Sequence, residues 1–109
     1  MEPHPGVYVS TDSPAFWTPD PEVPGSEMNE LMKVDGTWAG FTRFTVVEGP
    51  VAWTPPRRET IHIIEGSVQI DIAGGPTITL SPGDIASLPA GTATTWHITV
   101  PFKEFWLFS

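Results

Sequence analysis

Few side chains in this sequence can carry acid–base or metal chemistry: thirteen Asp and Glu, three His and no Cys. The lack of cysteine excludes a disulfide framework, a Cys-ligated zinc and a thiol nucleophile. His4 lies in a Pro-rich N-terminal stretch, whereas His62 and His97 interrupt the apolar runs Ile61-His62-Ile63 and Trp96-His97-Ile98. Glu59 opens the first run as Glu-Thr-Ile-His-Ile-Ile. Side chains alternate across a strand, so Glu59 shares a face with Ile61 and Ile63, and Thr94 shares one with Trp96 and Ile98. If those faces point inward, both histidines point out and are packing or interface residues. The opposite frame puts His62 and His97 inside as a two-His site. A carboxylate inside is costly unless paired or protonated. Buried, Glu59 is a candidate general acid/base or ligand anchor; alternatively it is a structural ion-pair member, with Arg43, Arg57, Arg58 or Lys103 as partner. No Ser-His-Asp arrangement, phosphate loop or nucleotide fingerprint is present.

The elements that position these residues are short. Apolar runs are cut by Glu65-Gly66, Gly74-Gly75-Pro76, Ser81-Pro82-Gly83-Asp84 and Pro89-Ala90-Gly91. Turn signals this closely spaced predict an all-β sandwich or barrel. Strands are expected at 37–48, 59–64, 67–73, 77–80, 85–88, 93–99 and 102–108. Residues 59–64 and 102–108 are apolar on both faces, as expected when one face meets an interior and the other an arm or second subunit. Residues 67–72 alternate and have a wet face. Residues 1–35 form an extended N-terminal arm anchored by Tyr8, Phe16 and Trp17, with one helical turn expected from Ser26 through Met28, Leu31 and Met32. Residues 36–109 form the barrel domain.

At 109 residues the chain is one domain, with five Trp and six Phe to fill a core. The net charge of −8 disfavours nucleic acid and anionic membranes as partners. Seven acids and one base fall within residues 1–35, giving either a solvated acidic arm or a surface for a basic partner. No apolar run approaches the ~18 residues of a membrane span, and no signal peptide opens the chain; a soluble, cytoplasmic protein is expected.

The order of these motifs resembles the two-part cupin signature, His-x-His-x3–4-Glu-x6-Gly followed by Gly-Asp and Pro-x-Gly-x-x-His. Anchored on Gly66, the glutamate position is Glu59 and the two histidine positions fall on Trp53 and Pro55. Anchored on Gly83-Asp84 and Pro89-Ala90-Gly91, the third histidine position falls on Thr94. With Trp38 and Thr95-Trp96, the pattern is similar to the small cupins related to ureidoglycine aminohydrolase and the ethanolamine-utilisation cupins. The resemblance implies a double-stranded β-helix (jelly-roll) barrel. It implies no metal, because one Glu cannot replace several converging imidazoles, and the metal-dependent aminohydrolase activity does not carry over.

Former metal positions of this fold converge on one cavity, so the resemblance implies a site lined by Glu59, Trp53, Thr94 and Trp96. Phe41 and Arg43 share one face of the first strand and are included; the other face offers Thr42 and Phe44. Lys103 is included because the family often carries a basic residue there. Three function classes follow: a metal-free module binding a small polar or sugar-like molecule, with no cofactor; a metal-free lyase, isomerase or hydrolase using Glu59 as acid/base; or a structural subunit with a vestigial pocket. A homodimer is expected, paired through the arm or the outer sheet face.

Overall fold

A computed structural model describes residues 1–109. After a single 3-10 turn at Pro14–Phe16, the chain forms β1 (Thr18–Pro19), β2 (Ser26–Val34), β3 (Thr37–Phe44), β4 (Val51–Trp53), β5 (Glu59–Ile72), β6 (Thr77–Leu80), β7 (Ile85–Leu88) and β8 (Thr94–Phe108). All pairings are antiparallel. No helix is long and apolar enough to cross a membrane.

Two long bent strands build the barrel. The first half of β5 pairs with β7 and with the second half of β8, which also pairs with β3. The second half of β5 pairs with β6 and with the first half of β8, which also pairs with β4. One sheet therefore runs β1-β2-β3-β8-β5-β7, the other β4-β8-β5-β6, and they share the two bent strands as a jelly-roll barrel does. The expected strand pairs 59–64/67–73 and 93–99/102–108 are thus continuous strands, each bent at its expected break.

Gly66 makes the bend of β5. Register slips on both sides of Glu65 move the inward set from Glu59, Ile61 and Ile63 to Val68 and Ile70. Gly66 has φ +75°, and a Cβ there would lie on the Pro101 carbonyl oxygen and 2.7 Å from that of Thr99. Only glycine combines that torsion with that approach. On β8 the alternation never slips: Thr94, Trp96, Phe102, Glu104, Trp106 and Phe108 are all buried. The core is Ile61, Ile63, Val68, Ile70 and Phe102 with aromatics around them.

The N-terminal region departs from expectation. Ser26–Val34 is a strand, not a helical turn. A bulge between Glu30 and Met32 breaks its alternation, and that break leaves Met28, Leu31 and Met32 at spacings that mimic helical periodicity. Residues 10–17 lie across the outer face of β2, β3 and β8. Buried Asn29 accepts a hydrogen bond from the Ser10 hydroxyl and donates to the Thr11 carbonyl at 2.8 Å. Buried Trp17 donates its indole N–H to Asp12 at 3.0 Å, and the Arg43 guanidinium stacks 4.1 Å above its ring. Lys103 reaches Asp12 at 3.2 Å and Arg43 reaches Glu27 at 3.0 Å. On the outer face of 102–108 the chain's own arm meets Lys103, through Asp12 and Trp17.

Candidate functional site

A cavity of about 350 Å³ opens at the end of the barrel formed by β3, β4, β5 and β8. Six aromatic rings line it: Trp38, Phe44, Trp53, Trp96, Trp106 and Phe108. Trp106 packs edge-on to Trp38 at 5.0 Å, and Phe108 packs 5.5 Å from both Trp38 and Trp106. Trp53 closes the next side, 6.4 Å from Phe108, and Trp96 lines the wall beside it. The loop between β1 and β2 forms part of the lining with Asp20 and Glu22.

Each indole N–H at this wall is already used. Trp38 donates to Glu30 and Trp53 to Glu59, both at 2.7 Å. Trp96 donates to the Thr94 hydroxyl at 2.9 Å, and Trp106 to the Thr42 hydroxyl at 2.8 Å. The rings are thereby fixed and present π surface rather than donors. Thr94 does not line the cavity; its hydroxyl donates to the Trp53 carbonyl while accepting from Trp96, so it ties two wall residues together. It borders a shallow groove on the other side of Trp53.

Four carboxyl groups line the cavity, Glu59 and Glu104 in its buried wall and Asp20 and Glu22 on the loop, and no Lys, Arg or His lines it. Glu59, at the start of β5, is buried. Desolvation pushes its pKa up to about 7, against the lowering effect of the Trp53 hydrogen bond. Glu104 of β8, opposite Ile63, is buried too, and its Oε2 has no hydrogen-bond partner in the protein. Burial, and then the nearby charge of Glu59, hold its pKa well above the ordinary carboxyl value. Neither acid is in an ion pair, so the salt-bridge alternative for Glu59 is not what the structure contains.

The sequence-predicted residues divide clearly. Glu59, Trp53 and Trp96 meet at the cavity. Phe41, Arg43 and Lys103 require correction: they lie on the outer face, where Phe41 packs edge-on to Phe105 and the two cations hold the arm. The inward face of β3 is the one carrying Trp38, Thr42 and Phe44. Lys103 points out because it neighbours inward Glu104. Glu104 was missed; its signal was its place in phase with Phe102, Trp106 and Phe108 on a strand with no alternation slip. Met28, in the arm by expectation, also lines the cavity.

His62 and His97 point outward, and His97 pairs with Asp71 at 2.7 Å outside the barrel. No three His, Asp or Glu side chains converge in a metal-holding group.

Comparison with known proteins agrees with this architecture. Residues 40–105 match the model of a family described as the EutQ-like cupin domain. Among solved structures, KdgF from Halomonas sp. is 23% identical with a TM-score of 0.69, covering 85% of each chain. A putative ethanolamine utilization protein Q from Salmonella typhimurium is 14% identical with a TM-score of 0.70, covering 94% of this chain and 93% of its own. An RmlC-like cupin from Shewanella frigidimarina is 15% identical with a TM-score of 0.67, covering 78% of this chain and 76% of its own. At these identities the likeness is one of fold. No curated protein sequence matches the chain.

Proposed function

The chain belongs to the EutQ-like cupin domain family, and within it we propose a metal-independent module that binds a small polar or sugar-like metabolite inside the barrel. The observation that carries this is the cavity: about 350 Å³, walled by aromatic rings and holding two buried carboxyl groups. That volume is at the small end of the ~300–1,000 Å³ typical of small-molecule sites. Metal independence is supported by chemistry, since Trp53, Pro55 and Thr94 occupy positions where imidazoles would be needed. An interior filled by its Trp side chains would have favoured a vestigial pocket; here the rings line a space instead.

The test is a thermal-shift panel of small polar metabolites against chelator-treated protein. A ligand that binds only the native state raises its melting temperature. Stabilisation of the wild type, lost in Trp96→Ala, is expected. Stabilisation that requires added zinc or nickel, or none with any compound, contradicts the reading.

A second reading has its own support. A Glu59 pKa of about 7 suits a general acid/base, whose useful pKa lies near working pH. Turnover of a bound compound that disappears in Glu59→Gln while binding persists would favour an enzyme. The first reading extends to a cytoplasmic homodimer. Exposed Ile64 and Ile85, on the outer face of β5 and at the start of β7, are apolar surface that a second copy would cover. Light scattering showing a monomer at micromolar concentration contradicts that part.

A further inference from the structure

Resting on the cavity reading above, we infer that the ligand is a small organic cation bearing an N–H donor, held between the indole faces and the Glu104 and Glu59 carboxyls. Three independent observations support this. First, Glu104 Oε2 is buried without a partner, and a buried polar atom left unmatched is costly. Once the carboxyl ionises, an N–H from a ligand satisfies it. Second, the four indole N–H groups at the wall are consumed internally. The rings therefore offer a ligand no N–H donor, while their faces attract cations. Third, every ionisable side chain lining the cavity is acidic: Glu59 from β5, Glu104 from β8, and Asp20 and Glu22 from the β1–β2 loop. From β3 and β4 only uncharged residues face it, among them Thr42, Phe44 and Trp53. An anion would meet indole rings and acidic side chains, and the one cation stacked on a wall ring, Lys33, already sits over Trp38 at 4.7 Å.

Binding should be linked to protons. A cation beside Glu104 and Glu59 favours their ionised forms. At neutral pH the acids therefore lose protons to solvent as the ligand enters, and affinity rises with pH.

The test is calorimetry with three size-matched probes: butylammonium, 1-butanol and butyrate. Butylammonium should bind roughly tenfold more tightly than 1-butanol, a margin within reach of one desolvated cation–π and carboxylate site, and butyrate should bind more weakly than either. Butylammonium affinity should rise from pH 6 to pH 8, and titrations in buffers of different ionisation enthalpy should report net proton release. Glu104→Gln should abolish the preference for butylammonium. If that variant does not fold, Glu59→Gln should weaken the preference with Glu104 in place. If 1-butanol or butyrate binds as tightly as butylammonium and Trp96→Ala removes that binding, the cation inference fails while the cavity reading stands. If no probe binds, the cation inference fails, and the metabolite panel alone decides the cavity reading.

Discussion

Glu59 and Glu104 face one cavity from adjacent strands, on rungs four residues apart along β8, with no cation between them. Their environments differ. Glu59 has a donor, Trp53, whereas Glu104 Oε2 has none and also feels the charge of Glu59. Both pKa values are raised, and Glu104 bears the additional repulsion.

Stability should therefore fall as pH rises. A carboxyl with a raised folded-state pKa binds more protons folded than unfolded, so its contribution is complete below the unfolded value and is lost on passing through the folded one. For Glu59 the window runs from about 4.5 to about 7. A shift of that size is worth on the order of 3 kcal/mol, and Glu104 extends the loss to higher pH. Denaturant midpoints should be higher at pH 5 than at pH 8. Glu59→Gln should flatten the profile between those values.

Trp53→Phe keeps an aromatic wall but removes the N–H that donates to Glu59. That hydrogen bond lowers the Glu59 pKa, so the variant should titrate above about 7. Carboxyl chemical shifts read the change directly; an unchanged or lower midpoint would mean that the indole does not hold the carboxylate.

Lys103→Met and Arg43→Met should leave cavity binding unchanged, because both cations lie under the arm on the outer face. Trp17→Ala should lower stability by about 1–3 kcal/mol through lost apolar burial and cation–π contact. Ligand calorimetry and chemical denaturation separate the two effects.

Gly66→Ala should be among the most damaging single changes, costing about 2–4 kcal/mol. Its positive φ and the close carbonyls of Thr99 and Pro101 leave no room for a Cβ. An alanine variant with wild-type stability would show that the bend of β5 yields easily.

The barrel was legible because glycine and proline mark its turns and because alternation holds throughout β8 and within each half of β5. Trp53 and Glu59 reach the cavity from positions that the cupin signature marks, and alternation sets the inward faces of Glu59 and Trp96. Phe41 and Arg43 were misplaced because β3 carries large side chains on both faces, so its pattern does not say which is inside. Lys103 followed a family habit, although its neighbour Glu104 holds the inward phase. β2 was read as a helical turn because one bulge converts a period of two into a spacing of three and four. No local signal says that an acid such as Glu104 is tolerated among Phe102, Trp106 and Phe108; that depends on a cavity formed by strands distant in sequence.

The most direct measurement is a carboxyl-detected NMR titration of the ligand-free protein with Glu59 and Glu104 assigned through their Gln variants. Burial of both acids in the cavity wall requires Glu59 to titrate near 7 and Glu104 to stay protonated well above the ordinary value of 4.5. If both carboxyls instead titrate close to 4.5, as solvated glutamates do, the two acids are not buried and the account of this site is contradicted.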